Sequence, residues 1–122
     1  MASVLVVDDV VSTRRVIEQA IARMGHTVIG TGSPAEVEEL VKQLRPDLVL
    51  LDLFMPFMDG IAFLNDLRAK FGEHCPRTLF VSGAPQELLM SQMPRLTPKG
   101  YLSKPFHLHD LWHAVNAALS GA

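Results

Sequence analysis

The sequence predicts an α/β fold: a doubly wound, five-stranded parallel sheet with helices on both faces, a three-layer sandwich. Three observations carry this. Short apolar runs, too short for helices, lie at residues 4–7, 48–51 and 78–81, with a weaker strand at 27–31 and a short one at 100–103. Apolar stripes of helical period lie between them. No repeat, low-complexity tract or linker breaks the alternation, and strands alternating with helices at this spacing build a parallel sheet.

The first run, residues 4–7, ends on Asp8 and Asp9. Val16, Ile17, Ala20, Ile21 and Met24 then form the stripe of a first helix, with Ser12 or Thr13 to cap its start and Gly25 at its end. A weaker strand over 27–31 follows. Ser33-Pro34-Ala35-Glu36 reads as a capping box with proline at the first helical position. Val37, Leu40, Val41 and Leu44 supply the buried face of this second helix, and Arg45-Pro46 stops it. The run 48–51 is apolar at every position, as a strand buried on both faces should be, and it ends on Asp52.

Turn chemistry at Pro56 and Asp59-Gly60 leads into a third helix, whose stripe is Leu64, Leu67 and Phe71. Residues 72–76 read as a loop. The fourth strand, 78–81, ends on Ser82-Gly83-Ala84. Residues 85–93 look helical, with Leu88, Leu89 and Met93 inward, until Pro94 and Pro98 cut the helix short. A short fifth strand over 100–103 runs into Lys104-Pro105. Leu108, Leu111, Trp112, Val115 and Leu119 make the last helix.

With 122 residues, 48% hydrophobic and 20% charged, the chain reads as one globular domain, residues 1–122. A formal net charge of -2 gives no electrostatic reason to expect direct nucleic-acid binding. Cys75 is alone, which excludes a disulfide framework and a thiolate zinc site. No apolar run nears the roughly 18 residues of a membrane span, and the N-terminus lacks a basic signal-peptide segment. A soluble cytoplasmic protein is the expectation.

The chemistry sits where the strands end. Asp8 and Asp9, Asp52, Ser82 and Lys104 close four of the five strands, and a parallel sheet gathers such ends in one crevice. A strand order of 2-1-3-4-5 sets the first, third and fourth strands side by side. Three carboxylates then converge, and a buried carboxylate is costly unless paired or bound to a cation. Hard oxygen donors with room for water suit Mg²⁺ better than zinc or copper. About three carboxylates, one lysine and one Mg²⁺ sum to near neutrality, so the site can accept a phosphoryl group. Asp52 can act as an oxygen nucleophile toward phosphorus. Lys104 can reach one phosphoryl oxygen and Ser82 can donate to another. Asp8 and Asp9 hold the metal, directly or through water.

Four segments together resemble the receiver domain of bacterial two-component response regulators. They are residues 4–9 (VLVVDD), residues 50–60 (LLDLFMPFMDG), Ser82-Gly83-Ala84 and residues 101–106 (YLSKPF), in the family's order and at about its spacings. The resemblance covers essentially the whole chain and implies a flavodoxin-like sheet. It also implies a phosphoryl group taken from a sensor histidine kinase or phosphotransfer protein onto Asp52. Mg²⁺ would be held by Asp9, Asp52 and the backbone carbonyl of Phe54, with Asp8 acting mostly through water. A cis Lys104-Pro105 bond is implied too, as is a switch in which Ser82 moves toward the phosphate and Tyr101 swings inward. With no DNA-binding segment after the last helix, output is expected through a downstream protein effector.

Plainer readings compete at several residues. Asp8 and Asp9 suit a helix cap, and Asp59 reads as a turn and N-cap residue rather than a catalytic one. His109 and His113, at i and i+4 without an apparent third ligand, read as solvated helix surface. Met90 and Met93 cover an apolar patch, and Cys75 is an inert loop thiol. Three features depart from the family pattern: Phe54 and Ala84 near the expected mouth of the site, and the proline-broken segment 93–100 (MPRLTPKG), which shortens the fourth helix. Two rival functions remain at this stage. A Mg²⁺-dependent phosphohydrolase also uses a strand-end Asp, but usually places a second acid where Phe54 stands. A phosphorylation-independent scaffold is disfavoured by the full set Asp9, Asp52, Ser82 and Lys104.

Overall fold

Alternation along the strands decides the architecture. In the computed structural model, which describes residues 2–52, 60–83 and 100–120 without the side chains of Ile61 and Ser82, successive strand residues point to opposite cores. The strands are β1 (Ser3–Val7), β2 (Thr27–Thr31), β3 (Leu48–Asp52), β4 (Arg77–Ser82) and β5 (Gly100–Ser103). The helices among the described residues are α1 (Val11–Arg23), α2 (Pro34–Leu44), α3 (Gly60–Phe71) and α4 (Leu108–Leu119). All strand pairs are parallel and the order is β2-β1-β3-β4-β5, as expected.

Leu5, Val7, Val49, Leu51 and Phe80 pack on one face against Val37 and Val41 of α2 and Leu64 and Leu67 of α3. Their neighbours Val4, Val6, Leu48, Leu50, Leu79 and Val81 face the other way. They meet Ile17 and Ile21 of α1 and Leu111, Val115 and Ala118 of α4. Every residue of β3 is buried, Asp52 included. This double burial is why β3 reads as an unbroken apolar run rather than an alternating one.

Several expectations change in detail. Val16, Leu108 and Trp112 are exposed, not core. A helix lying on a sheet buries the row at i, i+4 and i+7, here Leu111, Val115 and Ala118. The flanks of α1 and α4 instead face each other across a surface groove of about 300 Å³ lined by Val16, Ala20, Met24, Leu108 and Trp112. The N-cap of α1 is Val10, without a side-chain cap, so Ser12 and Thr13 lie inside the first turn. Gly25 does end that helix, at φ 93°.

The capping box of α2 does not form as read. Ser33 is the N-cap, but its hydroxyl makes no cap. The Ser33 N–H donates instead to the Thr31 hydroxyl (3.1 Å), which donates onward to the Glu36 carboxylate (3.0 Å). Thr31, buried at the end of β2, is inserted between the two halves of the box. Within the expected loop after α3, Gly72–His74 form a single 3₁₀ turn. The expectations for Phe54, Asp59, Ala84, Leu88, Leu89, Met90, Met93 and the proline-broken segment fall outside the described residues.

Candidate functional site

Parallel strands all present their carboxyl ends at one edge, and the polar residues that close β1, β3 and β5 meet there. Asp8 extends the β1 ladder by one step, its N–H donating to the Thr31 carbonyl at 3.1 Å. That places its side chain under the β1–α1 turn, 2% exposed, where Oδ1 accepts the Val10 N–H at 2.9 Å. Asp8 therefore does not cap α1, whose N-cap is Val10; its Oδ1 closes the turn that leads into the helix. Its other oxygen is free for a second task. Asp52, the last residue of β3, is 5% exposed beside it.

Lys104 joins the two. Its Nζ donates to Asp8 Oδ2 at 3.0 Å and to Asp52 Oδ2 at 3.2 Å. β5 lies two strands, roughly 10 Å, from β3, so only a long side chain can span β4 and arrive there. Lys104–Pro105 is a cis peptide. Burial opposes the charge on Lys104, but the hydrogen bond to Asp8 and the charges of Asp52 and Asp8 outweigh it. The ammonium pKa ends above the ordinary lysine value, and the group stays protonated.

Asp9, half-buried, completes the cluster. Carboxylate oxygens of Asp8, Asp9 and Asp52 all lie within 4.8 Å of one another. With every group ionised, one ammonium faces three carboxylates, leaving two negative charges in excess. Excess negative charge on hard oxygen donors, two of them on buried residues, is the donor set of a divalent cation such as Mg²⁺. The structure thus brings together Asp8, Asp9, Asp52 and Lys104. The backbone of Ser82 pairs opposite Ser103 at the same edge, while its hydroxyl and the Phe54 carbonyl lie outside the description. Tyr101 is half-buried against the core on the α2–α3 face.

Arg14 was not singled out from the sequence. Its guanidinium donates to the Asp8 carbonyl at 2.9 Å and pairs with Glu18 at 3.5 Å. It fits because residue 32 is glycine: a Cβ there would lie 2.7 Å from Arg14 Nη1. The Arg14/Glu18 pair is visible as an i, i+4 spacing, but the contact with the Asp8 carbonyl depends on where the β2–α2 turn passes. Arg14 holds the backbone from which Asp8 and Asp9 project.

Comparison with known proteins identifies the family. A family model, response regulator receiver domain, matches residues 4–116. The transcriptional regulatory protein YdfI of Bacillus subtilis is 31% identical over 123 residues, covering 99% of this chain and 56% of YdfI. The chemotaxis protein CheY of Bacillus subtilis is 28% identical over 118 residues, covering 96% of this chain and 97% of CheY. The solved structure of Vibrio cholerae chemotaxis protein CheY4 superposes with a TM-score of 0.88 at 24% identity, covering 98% of this chain and 99% of that one. The chain therefore spans about half of YdfI and nearly all of CheY.

Proposed function

Because the chain belongs to the response regulator receiver domain family, whose members are phosphorylation-activated signalling switches, we propose that Asp52 is its phosphoacceptor. Asp9 and Asp52 would hold Mg²⁺ there, with Asp8 beside them. The observation that carries the reading is Lys104 bridging Asp8 and Asp52, with Asp9 oxygens within 4.8 Å. A buried acid already bonded to a mobile cation, at the open edge of a parallel sheet, is placed to be modified.

The donor set fits the ion, since three carboxylates converge where one ammonium leaves two charges unbalanced. Asp9 and Asp52 would ligate Mg²⁺, with Asp8 adding charge nearby, and such an ion would supply positive charge to the phosphoryl oxygens. The chain's own residues do the rest. An Asp52 carboxylate oxygen attacks phosphorus, the P–N bond of a phosphohistidine breaks, and its electron pair returns to the imidazole. Lys104, on a flexible stem, transfers its hydrogen bond from Asp52 Oδ2 to a phosphoryl oxygen. Ser82, at the end of β4, donates to another, and Tyr101 reports the change by turning further into the core. Arg14 keeps the Asp8–Asp9 backbone in register throughout.

We read residues 1–122 as one receiver unit, a switch rather than a turnover enzyme. Its donor is a sensor histidine kinase or phosphotransfer protein of the cytoplasm, and its output goes to a downstream protein effector. No helix among the described residues is long and apolar enough to cross a membrane. The test is incubation with acetyl phosphate and Mg²⁺. A receiver takes up at most one acid-stable, base-labile phosphate per chain, and chelator or Asp52→Asn abolishes it. Rapid multiple turnover of phosphomonoesters would identify a hydrolase instead, and absence of any label a scaffold.

A further inference from the structure

His109 and His113 stand one helical turn apart on the exposed side of α4, and the phosphorylation chemistry uses neither. Their Nε2 atoms are 3.0 Å apart and their rings meet edge to face at 89°. Both side chains are exposed, so the contact is not forced by packing. In this arrangement one imidazole N–H points at the lone pair of the other. Both nitrogens are the distal ones, and both are reachable from solvent on the same side of the helix.

We infer that His109 and His113 form a bidentate surface site for a divalent transition-metal ion of the copper or nickel type. The class follows from the donors. The 3.0 Å contact is an N–H···N hydrogen bond between exposed rings, and a turn of each ring aims both Nε2 lone pairs at one ion outside the helix. Imidazole suits both ions, and copper binds such donors most strongly of the divalent first-row series. Water fills the remaining positions, since no third His, Cys, Asp or Glu joins the pair among the described residues. Binding replaces the shared N–H···N contact with two metal–nitrogen bonds and releases one proton from any imidazole that was charged. It also staples consecutive turns at the start of α4.

The chain carries its own reporter. Trp112, the only tryptophan, lies with its ring centroid 5.1 Å from that of His113. A paramagnetic ion on the pair should quench its fluorescence. The experiment titrates Cu²⁺, then Ni²⁺, into the full chain in excess Mg²⁺, which keeps the oxygen-donor cluster occupied by a harder ion. The expected result is saturable quenching with one ion per chain, nitrogen hyperfine splitting in the Cu²⁺ resonance spectrum, and a rise in Tm. Outer partners of metal ligands are worth about 10–100-fold in affinity, so losing a ligand should cost at least about tenfold. His109→Ala, which does not touch Trp112, should therefore weaken binding by that factor while acetyl phosphate labelling is unchanged. His113→Ala should do the same by calorimetry. Unchanged Cu²⁺ affinity in either variant, or quenching that never saturates, would overturn the proposal.

Discussion

Replacing Asp9 by asparagine should stabilise the metal-free protein, although it removes a residue of the functional site. An oxygen of Asp9 lies within 4.8 Å of oxygens on Asp8 and Asp52, and Lys104 bonds to the latter two but offsets only one charge. Asp9 therefore faces about one uncompensated negative charge. At that separation the repulsion is worth about 0.9 kcal/mol at the dielectric of water and about 3.5 kcal/mol at an effective dielectric of 20. Asp9 is half-buried, which selects the lower part of the range, about 1–2 kcal/mol. Asparagine keeps the shape and loses the charge. Urea denaturation in chelator should show the variant more stable by that amount. Saturating Mg²⁺, at about 100 times its Kd, should add about 2.7 kcal/mol to the wild type and much less to the variant. A variant that is no more stable in chelator, and that gains as much from Mg²⁺, would refute the charge-balance argument.

Three further outcomes follow from the same geometry. Removing one partner of a buried ion pair costs about 3–5 kcal/mol, and the 23% exposure of the Lys104 side chain reduces this for Lys104→Met to about 2–3 kcal/mol without Mg²⁺. Because the Lys104 pKa is raised, its contribution is complete below the unfolded lysine range and is lost only as pH rises through the folded value. The stability difference between wild type and variant should be flat around neutral pH and close in alkali; a difference that vanishes near neutrality contradicts the assignment. Arg14→Ala should weaken Mg²⁺ binding by loosening the Asp8 backbone, and Gly32→Ala should reproduce that effect by displacing the Arg14 guanidinium, at little cost in stability. Gly30→Ala, which mainly pushes the Glu18 carboxylate aside, should not. Burial pushes the Cys75 thiol up, with the Arg68 charge opposing more weakly. A thiol reagent at neutral pH should therefore modify native protein more slowly than unfolded protein, and equal rates would show an open thiol.

The sheet and its order were legible because each strand is bounded by a change that sequence displays. Residues 27–31 sit between Gly25 and Ser33-Pro34, and β3 ends where an unbroken apolar run meets Asp52. The meeting of Asp8, Asp52 and Lys104 was legible for a related reason, since parallel strands deliver their ends to one edge. What the sequence did not display is how far apart neighbouring elements sit. Val16 and Trp112 look like core because periodicity marks a helix face but not the width of its contact. Ser33 and Glu36 have the spacing of a capping box, yet the Thr31 hydroxyl, which arrives from β2, takes the bond. Arg14 escaped notice because its partner is a backbone carbonyl, which no residue identity reveals. The His109/His113 contact has the same character: i, i+4 spacing permits it, and only the rotamers bring the two Nε2 atoms together.

The central claim is that Asp52, and no other carboxylate of the cluster, carries the phosphoryl group. The direct measurement is to treat the protein with acetyl phosphate and Mg²⁺, reduce the acyl phosphate with borohydride, and map the product by peptide mass spectrometry. Reduction converts a phosphorylated aspartate to homoserine and leaves free carboxylates untouched. The account predicts homoserine at residue 52 alone, lost in Asp52→Asn and in chelator. Homoserine at residue 8 or 9, or an undiminished yield in Asp52→Asn, would contradict it.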